Sequence, residues 1–146
     1  MSAKEMFSKE RVKFNLEASS KGEVIDELID ILYKDGKLKD KEEFKKAVLK
    51  REEEFSTGIG MGIAIPHGKS NAVISPCIAF GSSAKGIDYE SMDDKPAHLF
   101  FLIAVPEESS DLHLRALSEI SRKLMHEEVR KKLLNCKTFE EFLEVF

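Results

Sequence analysis

"TGIGMGIAIPHG", Thr57 to Gly68, has too many glycines for an ordinary strand and too much isoleucine for an ordinary loop. Counted in twos, Ile59, Met61, Ile63 and Ile65 share one face, while Gly58, Gly60, Gly62 and Ala64 share the other. An extended segment with one apolar and one nearly bare face is expected to press its bare side against another element, or to carry a bulge. Met61 then packs in the core, or serves as an adaptable contact at a docking face. A nucleotide loop does not fit, because the third glycine is misplaced for G-x-G-x-x-G, no strand-to-helix turn follows, and G-K-[ST] is missing. Pro66 donates no ladder bond and Gly68 turns freely, so the strand is expected to end at His67, with the ring held at a strand end where α/β sheets gather ligands. Taken alone, His67 is either a turn residue or a reactive group.

The elements around this stretch alternate in type. "VKFNL" (Val12 to Leu16) reads as a short strand, and Val24, Leu28 and Ile31 mark a helix between Ser20 and Gly36. Asp40 and Glu43 make a capping-box-like start to a second helix, where Phe44, Ala47, Val48 and Arg51 fall on one face. "CIAFGSS" (Cys77 to Ser83) reads as a strand, and "SAKGIDYESMDDKP" as a polar connection. "HLFFLIAVP" shows no alternation, as expected of a central strand covered on both faces and stopped by Pro106. A helix follows with His113, Leu117, Ile120 and Leu124 on its inward stripe and Ser110 as its cap, and helices at "EEVRKKLL" and "TFEEFLEVF" close the chain. With no internal repeat or linker, residues 1–146 read as one α/β domain, a mixed β-sheet sandwiched between helical layers.

Composition narrows the function. The chain has 146 residues and a formal net charge of −4 with both signs mixed, which leaves no broad basic surface for nucleic acid. The longest apolar run, "LFFLIAV", is far short of the roughly 20 residues that span a bilayer, so no direct membrane insertion is expected. Cys77 and Cys136 match neither a zinc spacing nor a disulfide framework, which fits a reducing cytoplasm. H-x-x-x-H, H-E-x-x-H and G-x-S-x-G do not occur, which disfavours a metal or a serine nucleophile. What remains for His67 is nucleophilic catalysis by imidazole itself.

His113 sits in the first turn of its helix, where the dipole favours neutral imidazole and a nearby anion; as a residue on an inward stripe it is equally a hydrogen-bonded core histidine. Arg51, at the last turn of its helix, needs a carboxylate or an anion, and Glu52 or Glu54 could be that partner.

These residues resemble the fructose/mannitol-type IIA domains of the bacterial phosphoenolpyruvate-dependent sugar phosphotransferase system. The resemblance runs from "KREEEFSTGIGMGIAIPHG" through "GIDYESMDDKPAHLFFLIAVPEES" to "DLHLRALSEISRKL", with "GIAIPHG" its most specific motif. It implies a phosphotransferase in which His67 receives phosphate from the phosphohistidine of the carrier HPr and passes it to a cysteine of a IIB domain, and through IIB serves the membrane permease IIC. It implies that His113 lies beside the phosphorylated ring and Arg51 near the site, contacting phosphate or holding the pocket. Metal and cofactor are not required where donors hold the three oxygens, and Thr57, Ser56 and the Gly68 N–H are candidate donors. The nitrogen-type IIA branch, which acts by phosphorylation-dependent protein binding, is the alternative; "PHGKS", "DLHLRAL" and "KTFEEFLEVF" look more like the sugar-transport branch.

Overall fold

The protein is described here by a computed structural model over residues 1–109 and 111–146. After two short 3-10 turns, the described residues form β1 (Val12–Lys13), α1 (Lys21–Lys34), α2 (Lys41–Glu54), β2 (Gly58–Gly60), β3 (Ile63–Ala64), β4 (His67–Lys69), β5 (Cys77–Ile87), β6 (Ala97–Val105), α3 (Leu112–Leu124), α4 (Glu127–Asn135) and α5 (Phe139–Val145).

The apolar run of β6 organises the rest. Its successive side chains point to opposite faces, so a strand without polar alternation must be covered on both. Phe100, Leu102 and Ala104 pack with Val24, Leu28 and Leu32 of α1 and with Phe44 and Val48 of α2. Phe101, Ile103 and Val105 pack with Ala116, Ile120 and Leu124 of α3, Leu133 of α4 and Phe142 of α5. The sheet runs β1-β5-β6-β3-β2, with β4 also on β6. β5 is antiparallel to β6, while β3 and β4 share one edge of β6 and run parallel to it. The expected mixed sheet between helical layers is the fold observed.

The helix starts follow the sequence. Ser20 accepts from the Glu23 N–H and Asp40 from the Glu43 N–H, each satisfying a first-turn donor. Ser110, expected to cap α3, lies outside the described residues. Three expectations are corrected. The first strand is only Val12–Lys13, because Asn15 takes a positive φ of 64° and turns the chain away. β5 runs on to Ile87, past its expected end at Ser83, so Ala84 to Ile87 are strand and not connection.

The third correction concerns the glycine-rich stretch, which is two strands and not one. β2 and β3 pair antiparallel with Gly60 opposite Ile63, leaving Met61 and Gly62 as a two-residue turn. Both have positive φ, 57° and 77°, the backbone of a type I′ hairpin whose twist matches its flanking strands. Met61 is therefore at a hairpin tip and 50% exposed, away from the core in which its place in the alternation put it.

Candidate functional site

His67 does not end a strand; it begins one. β4 pairs with the last part of β6, His67 opposite Ile103 and Gly68 opposite Ala104. Ile103 N–H reaches the Pro66 carbonyl at 3.0 Å, so the proline forfeits only a donor and its acceptor stays in the sheet. Gly68 is needed for packing and not for a turn. A Cβ there would meet Phe44 Cε1 and Val48 Cγ2 at 3.0 Å, the two side chains through which α2 lies on β4.

The half-buried His67 ring is oriented by its own backbone, with Nδ1 3.0 Å from the Ile65 carbonyl oxygen. A carbonyl has no proton to give, so Nδ1 carries the hydrogen and Nε2 keeps its lone pair. Burial holds the imidazole pKa below its ordinary value, opposed by the Ile65 hydrogen bond and reinforced by the positive charge of Arg51. A neutral ring with a fixed tautomer and a basic Nε2 is a nucleophile that needs no base to activate it.

His113 comes to the same place from α3. Its ring centroid is 6.2 Å from that of His67, with a tilt of 34° between the planes. Burial lowers its pKa, and the charges of His67 and Lys69 lower it further. Its Nδ1 is buried with no hydrogen-bond partner among the described residues. Such an atom normally costs free energy, which makes it a position that an incoming polar group can satisfy.

Arg51 differs from expectation. It is half-buried, and no carboxylate among the described residues pairs with it: Nη1 donates to the Phe55 carbonyl at 2.7 Å and the guanidinium lies 4.3 Å from the centre of the Phe55 ring. Glu52, offered as its partner, turns the other way. That side chain is 6% exposed and is held by Lys21 Nζ at 3.1 Å, Thr57 N–H at 3.0 Å, Tyr89 O–H at 3.1 Å and the Thr57 hydroxyl. The Ser56 hydroxyl donates to the Tyr89 carbonyl at 2.8 Å and accepts from Gly58 N–H. The Ser56 and Thr57 hydroxyls are thus engaged with the Glu52 and Tyr89 network, and do not stand ready as phosphate donors. Burial and the adjoining Glu52 carboxylate push the Tyr89 phenol well above its ordinary pKa, so it remains a donor.

Lys21 and Tyr89 lie far from Glu52 in the chain, so no local pattern marks them as its partners. The signal available was "EEEF" with three adjacent carboxylates, one of which must find a cation when a helix end packs down. No group of three His, Cys, Asp or Glu side chains among the described residues could hold a metal ion.

Residues 5–146 match the family described as phosphoenolpyruvate-dependent sugar phosphotransferase system, EIIA 2, and the chain belongs to that family. It is therefore a phosphoryl-transfer component of the IIA type. It is 48% identical over 145 residues to a fructose-specific EIIABC component of Bacillus subtilis, a match that covers 99% of this chain and 23% of that protein. The chain thus spans about a quarter of that relative's length. It is 47% identical over 120 residues to a fructose-specific EIIA component of Haloferax volcanii, covering 82% of this chain and 78% of the other. Among solved structures, the nitrogen regulatory protein IIA-Ntr of Neisseria meningitidis superposes with a TM-score of 0.89 at 27% identity, covering 97% of each chain. The mannitol enzyme IIA of Escherichia coli, in complex with phosphorylated mannitol enzyme IIB, superposes with a TM-score of 0.82 at 25% identity, covering 95% of each chain.

Proposed function

We propose that His67 is the phosphoryl carrier of this IIA component, charged by the phosphohistidine of HPr and discharged to a cysteine of a IIB domain during sugar uptake. The observation that carries the proposal is the Nδ1 contact to the Ile65 carbonyl, which leaves Nε2 as the nucleophile. In the first step the Nε2 lone pair forms a bond to phosphorus while the N–P bond of the donor breaks, and the electron pair returns to the donor imidazole. In the second, a thiolate sulfur of IIB forms the new bond and the Nε2–P bond breaks. Neither step requires His67 to give up a proton, because its Nε2 carries none.

His113 donates to a phosphoryl oxygen through its unsatisfied Nδ1, helped by N–H groups in the first turn of α3, and Arg51 supplies positive charge at the same end of the sheet. Gly68 keeps the β4 backbone close under α2. Positioning and charge are what phosphoryl transfer asks of a protein, and no metal or cofactor enters this scheme. Residues 1–146 act as one unit on a cytoplasmic relay, with IIC the membrane partner reached through IIB. Among the described residues no helix is long and apolar enough to cross a membrane. Two relatives carry the name fructose-specific, which makes a fructose system the first to test.

The nitrogen-type regulatory reading is supported by the close superposition on IIA-Ntr. The identity to the fructose-specific proteins favours transport. Intact mass after incubation with phosphoenolpyruvate, enzyme I and HPr, in samples kept from acid, tests the proposal. One added phosphate on the native chain and none on His67→Ala is expected. An unmodified native chain beside phosphorylated HPr in the same tube would exclude it.

A further inference from the structure

Two neighbouring residues at the end of α2, Arg51 and Glu52, carry opposite charges and do not meet. Glu52 is turned inward and closed off by Lys21, Thr57 and Tyr89. Among the described residues, Arg51 is held by neutral groups alone, a carbonyl and an aromatic face. Lys21 opens α1 immediately after the Ser20 cap; its ammonium also lies 4.8 Å from the centre of the Tyr89 ring and 3.2 Å from the exposed Glu90 carboxylate. From α2, Arg51, Glu52 and Glu54 act electrostatically on His67, and His113 faces it from α3.

We infer that the Lys21, Glu52, Tyr89 and Thr57 network keeps the Glu52 carboxylate off the Arg51 guanidinium and sets an ammonium against its charge, so that Arg51 stays unpaired and its positive charge outweighs the negative charge of Glu52 at the His67 site. Lys21 is then a positioning residue for phosphoryl transfer: it touches neither substrate nor nucleophile, and acts by sequestering an anion. The inference rests on the reading of His67 as the phosphoryl carrier and names a residue on which that site depends. Chemistry explains why sequestration is needed. A phosphoryl group and a carboxylate compete for the same planar, two-pronged donor. Neighbours on a helix diverge by about 100°, but Arg51 and Glu52 stand in the last turn of α2, where two long side chains can swing together unless they are held. Lys21 offers Glu52 a compact cation on another helix, and the buried hydroxyls of Thr57 and Tyr89 fix the carboxylate in that direction. Arg51 stacked on Phe55 keeps its charge and its remaining donors.

The test uses Lys21→Met, Glu52→Gln, the double variant and Lys21→Arg, each compared with native protein by the NMR titration of the His67 ring and by the rate of phosphate uptake from phosphorylated HPr. Lys21→Met leaves an unbalanced carboxylate beside Arg51, so the His67 titration moves up and uptake slows by about tenfold, the size of one lost charge-assisted contact. Glu52→Gln removes the competing anion, so the titration moves down and uptake holds at or above the native rate. The double variant removes both charges and returns both readouts to native, and Lys21→Arg stays near native. A merely structural network predicts the reverse pattern, with both single variants impaired and the double no better than the worse of them. That pattern, or titrations that move in the same direction or not at all, would overturn the inference. Uptake by Lys21→Met at the native rate would also overturn it while leaving the carrier role intact. Should native protein take no phosphate, the carrier role fails, and the ring titrations, which need no phosphate, still decide whether the network sets the charge at His67.

Discussion

At the scale of single residues, the proposed chemistry depends on two imidazoles that stay neutral. Burial depresses the pKa of both His67 and His113 below the ordinary value of 6.5. The unfolded chain therefore takes up protons on these rings, as pH falls below 6.5, that the folded chain refuses. Their contribution to stability is fully present above that pH and is lost as pH falls toward the depressed folded values. The expected outcome is a melting temperature that drops between about pH 7 and about pH 5.5 in native protein and drops less in His113→Gln, measured by scanning calorimetry. Phosphate uptake should hold its neutral-pH rate through the normal histidine range and decline only below it, because Nε2 of His67 stays unprotonated. A rate that halves at 6.5 would show that burial does not control this ring.

At the scale of elements, two glycine-rich contacts set where the site lies. α2 buries Phe44 and Val48 completely, each worth about 1.5–3 kcal/mol, and both rest on Gly68. Gly68→Ala sets a methyl against these two side chains, which must give by a few tenths of an ångström, and is expected to cost about 1–3 kcal/mol in urea unfolding and to slow phosphate uptake as α2 shifts over β4. The hairpin between β2 and β3 offers the opposite case. Met61 holds a positive φ that an unbranched apolar side chain tolerates poorly, directly before a glycine that also needs one. Met61→Asn places the favoured Asn-Gly pair in this turn, and is expected to stabilise the fold by about 0.5–1 kcal/mol. Uptake measured on the same variant shows whether the exposed Met61 side chain also serves a docking partner.

At the scale of the whole molecule, the N-terminal segment is tied down by a buried charge. Arg11 donates to Asp35 Oδ2 at 2.7 Å, to the Met6 carbonyl at 2.9 Å and to the Ile78 carbonyl at 3.4 Å, joining the first turns of the chain to the end of α1 and to β5. Removing Arg11 leaves the half-buried Asp35 carboxylate and two carbonyls without their donor, so Arg11→Leu should lower stability by about 1–3 kcal/mol, seen as a lower urea midpoint. The site lies on the other partner of β6, so phosphate uptake per folded molecule should be unchanged. Loss of uptake in the folded variant would mean that the two edges of the sheet are coupled.

Much of this was legible in local pattern. The apolar run at Leu99 to Val105 required cover on both faces because a strand's side chains alternate, and the Ser20 and Asp40 caps followed from donors that every helix start must satisfy. His67 stood out because proline and glycine flank it. Period-two counting failed at Met61, since alternation assumes an unbroken strand and cannot register two residues of positive φ that reverse the chain. It also could not say which way Arg51 and Glu52 point. Adjacent residues on a helix diverge by about 100°, and which of them finds a cation depends on Lys21, brought from another helix by packing. Local pattern determined most of the elements and the two-sided sheet, and it singled out His67 as the candidate for the proposed chemistry. Tertiary structure alone decided the partners of each charge, because those partners come from distant parts of the chain.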